Sequence, residues 1–170
     1  FPAYNNVSLD DQLRFGNVDT LDTNVTVTIG GVSHGPYLLH SNESMRINYA
    51  GVDSGPVVVQ GTPGVKIIAA IRDSWWDGAT WSSYSQLMGL PAGQVSDTYL
   101  FPAYNNVSLD EQLRFGNVDT VDTTVTVTIG GTLWGSYLLH PSESVRVNYA
   151  GLNSGPVVVA GTPGVKIIAA

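Results

Sequence analysis

Apolar and polar residues alternate along most of this chain. In Val25-Thr26-Val27-Thr28-Ile29 the alternation is perfect, and Gln12-Leu13-Arg14-Phe15 and Met45-Arg46-Ile47-Asn48-Tyr49 repeat it. A period of two sends successive side chains to opposite faces of a strand, one toward a core and one toward water. Val57-Val58-Val59 and Ile67-Ile68 are continuous apolar runs, which predict strands covered on both faces or lying at a sandwich centre. Gly16-Asn17, Gly30-Gly31, Gly35-Pro36, Ser54-Gly55-Pro56 and Thr62-Pro63-Gly64 read as turns between these strands. No window carries a helical period. The pattern predicts an all-β chain of immunoglobulin-like antiparallel β-sandwiches, with seven or eight short strands per unit.

The pattern is written twice. Residues 1–70 return as residues 101–170 with 14 differences in 70 positions, and residues 71–100 occur once. A period of about 100 residues is the size of a whole domain, not of a solenoid turn. A strand from Ile67 to Trp75, a turn at Asp77-Gly78 and a strand from Trp81 to Met88 close the first unit. Leu90-Pro91-Ala92-Gly93 marks the boundary, because proline and glycine stop strand pairing. Tyr99 to Tyr104 is then the first strand of the second unit. This phasing gives one sandwich over residues 1–90, a linker over 91–93 and a second sandwich over 94–170. It also predicts that the first strand of the first unit is cut at its start and that the second unit lacks its final hairpin, as in an excerpt from a longer tandem array.

The differences between the copies carry information. Leu21/Val121, Met45/Val145, Ile47/Val147 and Val52/Leu152 exchange apolar for apolar, which predicts core positions. Val32-Ser33-His34-Gly35-Pro36 becomes Thr132-Leu133-Trp134-Gly135-Ser136, which predicts an exposed hairpin tip.

Composition narrows the function. Hydrophobic residues make up 43% of the chain, enough for two cores, whereas charged residues make up only 12%. The surface is therefore largely Ser, Thr, Asn, Gln and Gly, which fits an extracellular or cell-surface setting. A net charge of −7 with no basic stripe argues against nucleic acid. With no cysteine, neither a disulfide framework nor a thiolate metal site is possible. No apolar stretch is long enough to predict a membrane span.

Candidate chemistry is sparse. His34 becomes Trp134, so chemistry common to both units cannot use it; His40 and His140 sit at strand ends, where bonding to backbone or water is the expected role. No nucleophile elbow and no metal-binding histidine spacing occurs. Asp10-Asp11, Asp110-Glu111, and the pairs Asp19/Asp22 and Asp119/Asp122 offer oxygen ligands for calcium, although aspartates also build turns unaided. Asn6, Asn24, Asn42 and Asn106 each head an Asn-x-Ser/Thr triplet and are candidate glycosylation sites. Trp75, Trp76, Trp81 and Tyr84 share one hairpin; they suit either stacking on sugar rings or packing within the sandwich. Trp134 is a separate candidate contact with a neighbouring chain. The sequence predicts no catalytic residue and no cofactor.

The string Tyr99-Leu100-Phe101-Pro102-Ala103-Tyr104-Asn105-Asn106-Val107, followed by Gln112-Leu113-Arg114-Phe115-Gly116-Asn117, resembles a tandem repeat of about 100 residues. Such repeats occur in long secreted or surface proteins of filamentous, Chloroflexi-like bacteria. Ser85-Gln86-Leu87-Met88-Gly89-Leu90-Pro91 and Tyr149-Ala150-Gly151-Leu152-Asn153-Ser154-Gly155-Pro156-Val157 belong to the same pattern. The resemblance implies a cell-surface β-repeat and brings no catalytic residue with it. The expected function is structural, a segment of a surface fibre, stalk or sheath. Its expected partners are neighbouring repeats or identical chains, with strand complementation at the sheet edge near Ala170, and glycans. The competing expectation is an adhesin or carbohydrate binder that uses the tryptophan hairpin.

Overall fold

The computed structural model describes residues 1–76 and 78–170, and of Trp76 and residues 81–83 the backbone alone. The chain is all-β, built as sandwiches of antiparallel sheets in two compact units. Phe1 with Ala3–Leu90 forms the first unit and Pro91–Ala170 the second.

The first unit holds β1 (Tyr4–Asn5), β2 (Gln12–Asn17), β3 (Thr23–Ile29), β4 (Val32–Leu39), β5 (Ser44–Ile47), β6 (Asp53–Ser54), β7 (Val57–Gln60), β8 (Ile67–Trp76) and β9 (Trp81–Met88). One sheet runs β5-β2-β8-β9, a second β4-β3-β7, and β1 pairs with β6 alone. The alternation read from the sequence does the packing. Leu13 and Phe15 of β2 and Val25, Val27 and Ile29 of β3 are buried together with Phe1, Tyr4, Leu39, Val57 and Ile71. Each such aliphatic or aromatic side chain contributes about 1.5–3 kcal/mol by leaving water.

The second unit opens with a short 3-10 turn, Ala92–Gln94, and continues through β10 (Thr98–Phe101), β11 (Tyr104–Asn105), β12 (Leu113–Asn117), β13 (Thr123–Ile129), β14 (Thr132–Leu139), β15 (Ser144–Val147), β16 (Asn153–Ser154), β17 (Val157–Ala160) and β18 (Ile167–Ala169). Its sheets are β10-β17-β13-β14, β15-β12-β18 and β11-β16. The registers recur 100 residues apart: Leu13 faces Ile47 as Leu113 faces Val147, and Val27 faces Val59 as Val127 faces Val159. The sheets differ at their edges, since β9 occurs only in the first unit and β10 only in the second.

Several local expectations are corrected. Gly16-Asn17 is the end of β2, not a turn, and Asn17 is buried there. Its amide donates to the carbonyls of Leu21 (2.7 Å), Leu39 (3.4 Å) and His40 (3.2 Å), so a polar residue inside the sheet ties three segments together. Residues 32–36 lie within β4, and the hairpin tip is Gly30-Gly31, where both residues adopt positive φ (53° and 81°) as a tight two-residue turn requires. Gly35-Pro36 is likewise inside β4, beside an irregularity in its register with β3. In the first unit the continuous apolar runs do not have both faces covered, since Val58 is 46% and Ile68 49% exposed while Val57 points into the core; in the second unit Ile167 and Ile168 are both buried. Leu21 is 63% exposed and Val121 52%, so this exchange is a surface one, whereas Met45, Ile47 and Val52 do pack against the core. The strand expected from Tyr99 to Tyr104 is split at Pro102-Ala103 into β10 and β11.

Candidate functional site

The acidic loops are built as turns. Asn17 Oδ1 accepts the Asp19 N–H at 2.9 Å, and Asp19 in turn accepts the N–H groups of Thr20 (2.7 Å) and Lys66 (3.2 Å). These backbone donors hold the Asp19 carboxyl below the usual carboxylate range, those of Lys66 and Thr20 first. Asp22 accepts from His40 Nδ1 at 2.9 Å and from the Ser41 N–H at 3.2 Å. His40 Nδ1 is therefore paired with a carboxylate, a partner the sequence did not point to. The hydrogen bond to Asp22 raises the imidazole above its ordinary value and lowers the carboxyl below its own. Asp119 accepts the Lys166 N–H at 3.1 Å, and Asp122 meets His140 Nδ1 at 3.0 Å, so the second unit repeats the arrangement. Among the described residues no group of three or more His, Asp or Glu side chains is placed to hold a metal ion. Asp11 is buried, with Oδ2 accepting the Asn5 N–H at 2.6 Å; Glu111 receives the Asn105 N–H at 2.5 Å, which explains why that acidic exchange is tolerated.

The four sequons divide into two classes. Asn6 donates from Nδ2 to Asn48 Oδ1 and to the Tyr4 hydroxyl, and Asn106 makes the equivalent bonds to Asn148 (2.6 Å) and Tyr104 (3.3 Å). Their amides are engaged in holding the β1 and β11 corners. Asn24 is exposed on β3, and Asn42 is exposed in a left-handed turn with φ 59°. Glycopeptide mass spectrometry of native material should accordingly find any N-linked sugar on Asn24 or Asn42 and none on Asn6 or Asn106. Equal occupancy of all four would contradict this division.

The aromatic candidates separate as well. Trp75 is 46% exposed near the end of β8, in register with Ser83, and Tyr84, opposite Ser74, is exposed on the other face of the same hairpin. The side chains of Trp76 and Trp81, singled out with it, lie outside the described residues. Trp134 is 43% exposed on β14, with its ring 5.6 Å from that of Tyr149. His34 stacks on Tyr49 at 4.5 Å in the first unit, so the His-to-Trp exchange keeps a flat ring over the same tyrosine.

Two facing arginine pairs escaped the sequence reading. Arg14 lies directly opposite Arg46 across β2 and β5, and Arg114 opposite Arg146 across β12 and β15. Facing like charges disfavour a sheet pair, yet both copies keep them. Arg72, the remaining arginine, lies on the same outer face of the first unit, 5.6 Å from the centre of the Tyr84 ring. Gly16, Ile68, Ala70, Gln86 and Met88 complete an open groove beside Arg14 and Arg46. The arginines lie tens of residues apart in sequence and meet only through strand register, although their shared outward parity in Leu13-Arg14-Phe15 and Met45-Arg46-Ile47 was a readable sign. No helix among the described residues is long and apolar enough to cross a membrane. No protein-family model and no curated protein matches this chain.

Proposed function

We propose that this chain is a structural extracellular protein, a segment of a tandem-repeat surface fibre, stalk or sheath whose units join head to tail. The observation that carries this reading is the repetition of a complete core. Two units that differ at 14 of 70 equivalent positions each bury their own set of strand residues, an arrangement that adds length while repeating one surface. The resemblance to bacterial surface repeats agrees with it, as do the low charge content and the exposed Asn24 and Asn42, which suit a glycosylated exterior. Immunogold labelling of intact source cells tests the location. Gold on the outer envelope or on shed fibres is expected, and gold confined to the cytoplasm overturns the extracellular reading.

A second reading has its own observation. Trp75, exposed near the end of β8, presents a flat aromatic ring of the kind that stacks on sugar rings, which favours an adhesin or carbohydrate-binding module. On that reading a glycan array gives a signal that W75A weakens roughly tenfold, a loss of about 1.4 kcal/mol. A blank array, or a signal indifferent to W75A, removes it.

A further inference from the structure

The facing arginines of the first unit have no partner that explains them. Strand register places Arg46, Arg14, Ala70 and Met88 in one row across β5, β2, β8 and β9, with Gly16 and Ile68 in the next row. Leu13 and Phe15 point into the core, so this row looks outward, and Arg14, Arg46 and Met88 are exposed. Like charges directly opposite one another weaken a strand pair, and a neighbouring anion offsets that. Among the described residues neither guanidinium meets a carboxylate. Arg14 makes a single long hydrogen bond, from Nη2 to Gln12 Oε1 at 3.4 Å. The acids nearest in sequence are engaged elsewhere: Glu43 accepts the His40 N–H at 2.8 Å, and Asp10 accepts Gln12 Nε2 at 3.0 Å and Asn48 Nδ2 at 2.6 Å. No carboxylate lines the groove beside the two arginines.

The shape of the groove narrows the class of anion. Its floor is low, because Gly16 has no side chain and Ala70 only a methyl, while Ile68 (49% exposed) and Met88 (57% exposed) give it an apolar surface and Gln86 an amide. Both β2 and β8 are inner strands, paired on either side, so their backbone groups are taken and the groove offers side chains alone. An acidic peptide strand, which binds by backbone pairing at a sheet edge, has no ladder to join here. A polyphosphate chain meets the repulsion of a net charge of −7. What fits is a molecule with a carboxylate for the arginine fork, hydroxyls for the amide and an apolar C–H face. An acidic sugar has all three.

We propose that this groove of the first unit binds an acidic sugar unit, a uronate within a polysaccharide. The carboxylate bridges Arg14 and Arg46 and relieves their repulsion. The C–H face of the ring lies over Ala70 against Ile68 and Met88, and a hydroxyl meets Gln86. The site is built on the outer face of β5-β2-β8-β9 without Trp75, and it does not depend on the chain forming a fibre.

An NMR titration of the 170-residue chain with a short oligogalacturonate tests it. Saturable shifts of the Gly16, Ile68, Ala70 and Met88 amides are expected, and none with the fully methyl-esterified oligomer, which keeps the sugar and loses the charge. Arg14→Gln and Arg46→Gln should each weaken binding roughly tenfold. Lys66→Gln removes the same charge outside the groove and should change binding by less than about twofold. Both arginine variants should hold or raise the melting transition of the first unit, because each relieves the facing charges. No saturable shift at these amides, an equal loss in Lys66→Gln, binding of the esterified oligomer, or a lowered transition in both arginine variants would overturn the site. Poly-glutamate or inorganic sulfate binding the groove as tightly as the oligogalacturonate would overturn its assignment to an acidic sugar. Trp75→Ala should leave this binding unchanged, which separates the groove from the tryptophan reading.

Discussion

Asn17→Ala should lower the melting transition of the first unit by roughly 12–24 °C and leave the second where it is. The side-chain amide bonds three carbonyls, those of Leu21, Leu39 and His40, and its oxygen accepts the Asp19 N–H. Asn17 is buried, so alanine brings no water in compensation, and the Leu39 carbonyl beneath it loses its side-chain donor. A loss of about 3 kcal/mol follows from orphaning buried polar groups at about 1–3 kcal/mol each. For a domain of under about 100 residues each kcal/mol moves the midpoint by about 4–8 °C. Because each unit has its own core, calorimetry should resolve one displaced and one unchanged transition. Asn117→Ala, which removes the equivalent bonds to Val121 and Leu139, should displace the other. Both transitions moving together, or a shift of only a degree or two, would contradict this account of the buried asparagine.

In a polypeptide that begins at Phe1, the α-amine of that residue gives the second large effect. Burial pushes its pKa from 8.0 down to about 6, because the ammonium form is poorly solvated against the core. Between those two values the unfolded chain binds a proton that the folded chain does not, so stability rises with pH through that window. At a pH above 8 the first unit has its full stability; below about 6 it has lost roughly 2–3 kcal/mol, and the loss then levels off. The His40–Asp22 pair acts in the opposite direction, since a raised imidazole stabilises at low pH and fades as pH rises, but it is fully exposed and its effect is small. Urea midpoints of the first unit, measured from pH 5.5 to 8.5, should therefore climb. A flat or falling profile would show that the amine is not held against Val57 as described. Fusion of residues before Phe1 converts the amine to an amide and should abolish the dependence.

Much of this fold was legible because its strands carry one covered face. Val25 to Ile29 alternate between buried and part-exposed positions as their spelling implies. The strands β8 and β9 were readable from their aromatic and apolar runs, while Asp77 of the expected turn lies outside the described residues. What failed has a common cause, in that residue type does not report neighbours. A run such as Val57-Val58-Val59 reads the same whether one face or two are covered, and only the sheet order shows that Val58 looks outward. Gly-Asn is a turn by composition, yet in β2 the asparagine is buried because three carbonyls from other segments converge on it. Leu21 and Val121 exchange like core residues while sitting in an exposed loop.

The candidate sites were legible as residues but not as partnerships. The sequence offered Asp19 and Asp22 as free oxygens; folding brings Lys66 and His40 to them from 47 and 18 residues away. The facing arginine pairs depend on strand register and sheet order, which no local pattern records. The single-copy residues 71–100 are the clearest case, since they supply most of β8 and all of β9 to the first unit and most of β10 to the second. The seventy repeated residues are conspicuous, but each unit also draws a strand from the text between them.

The central claim is that repeated units of this kind make an extended surface structure. Electron microscopy of the assembled material from its source tests it most directly, with antibody against this chain to identify the particles. The account predicts labelled, beaded fibres in which each bead is one repeat. Labelled particles that are only dispersed globular monomers would contradict it.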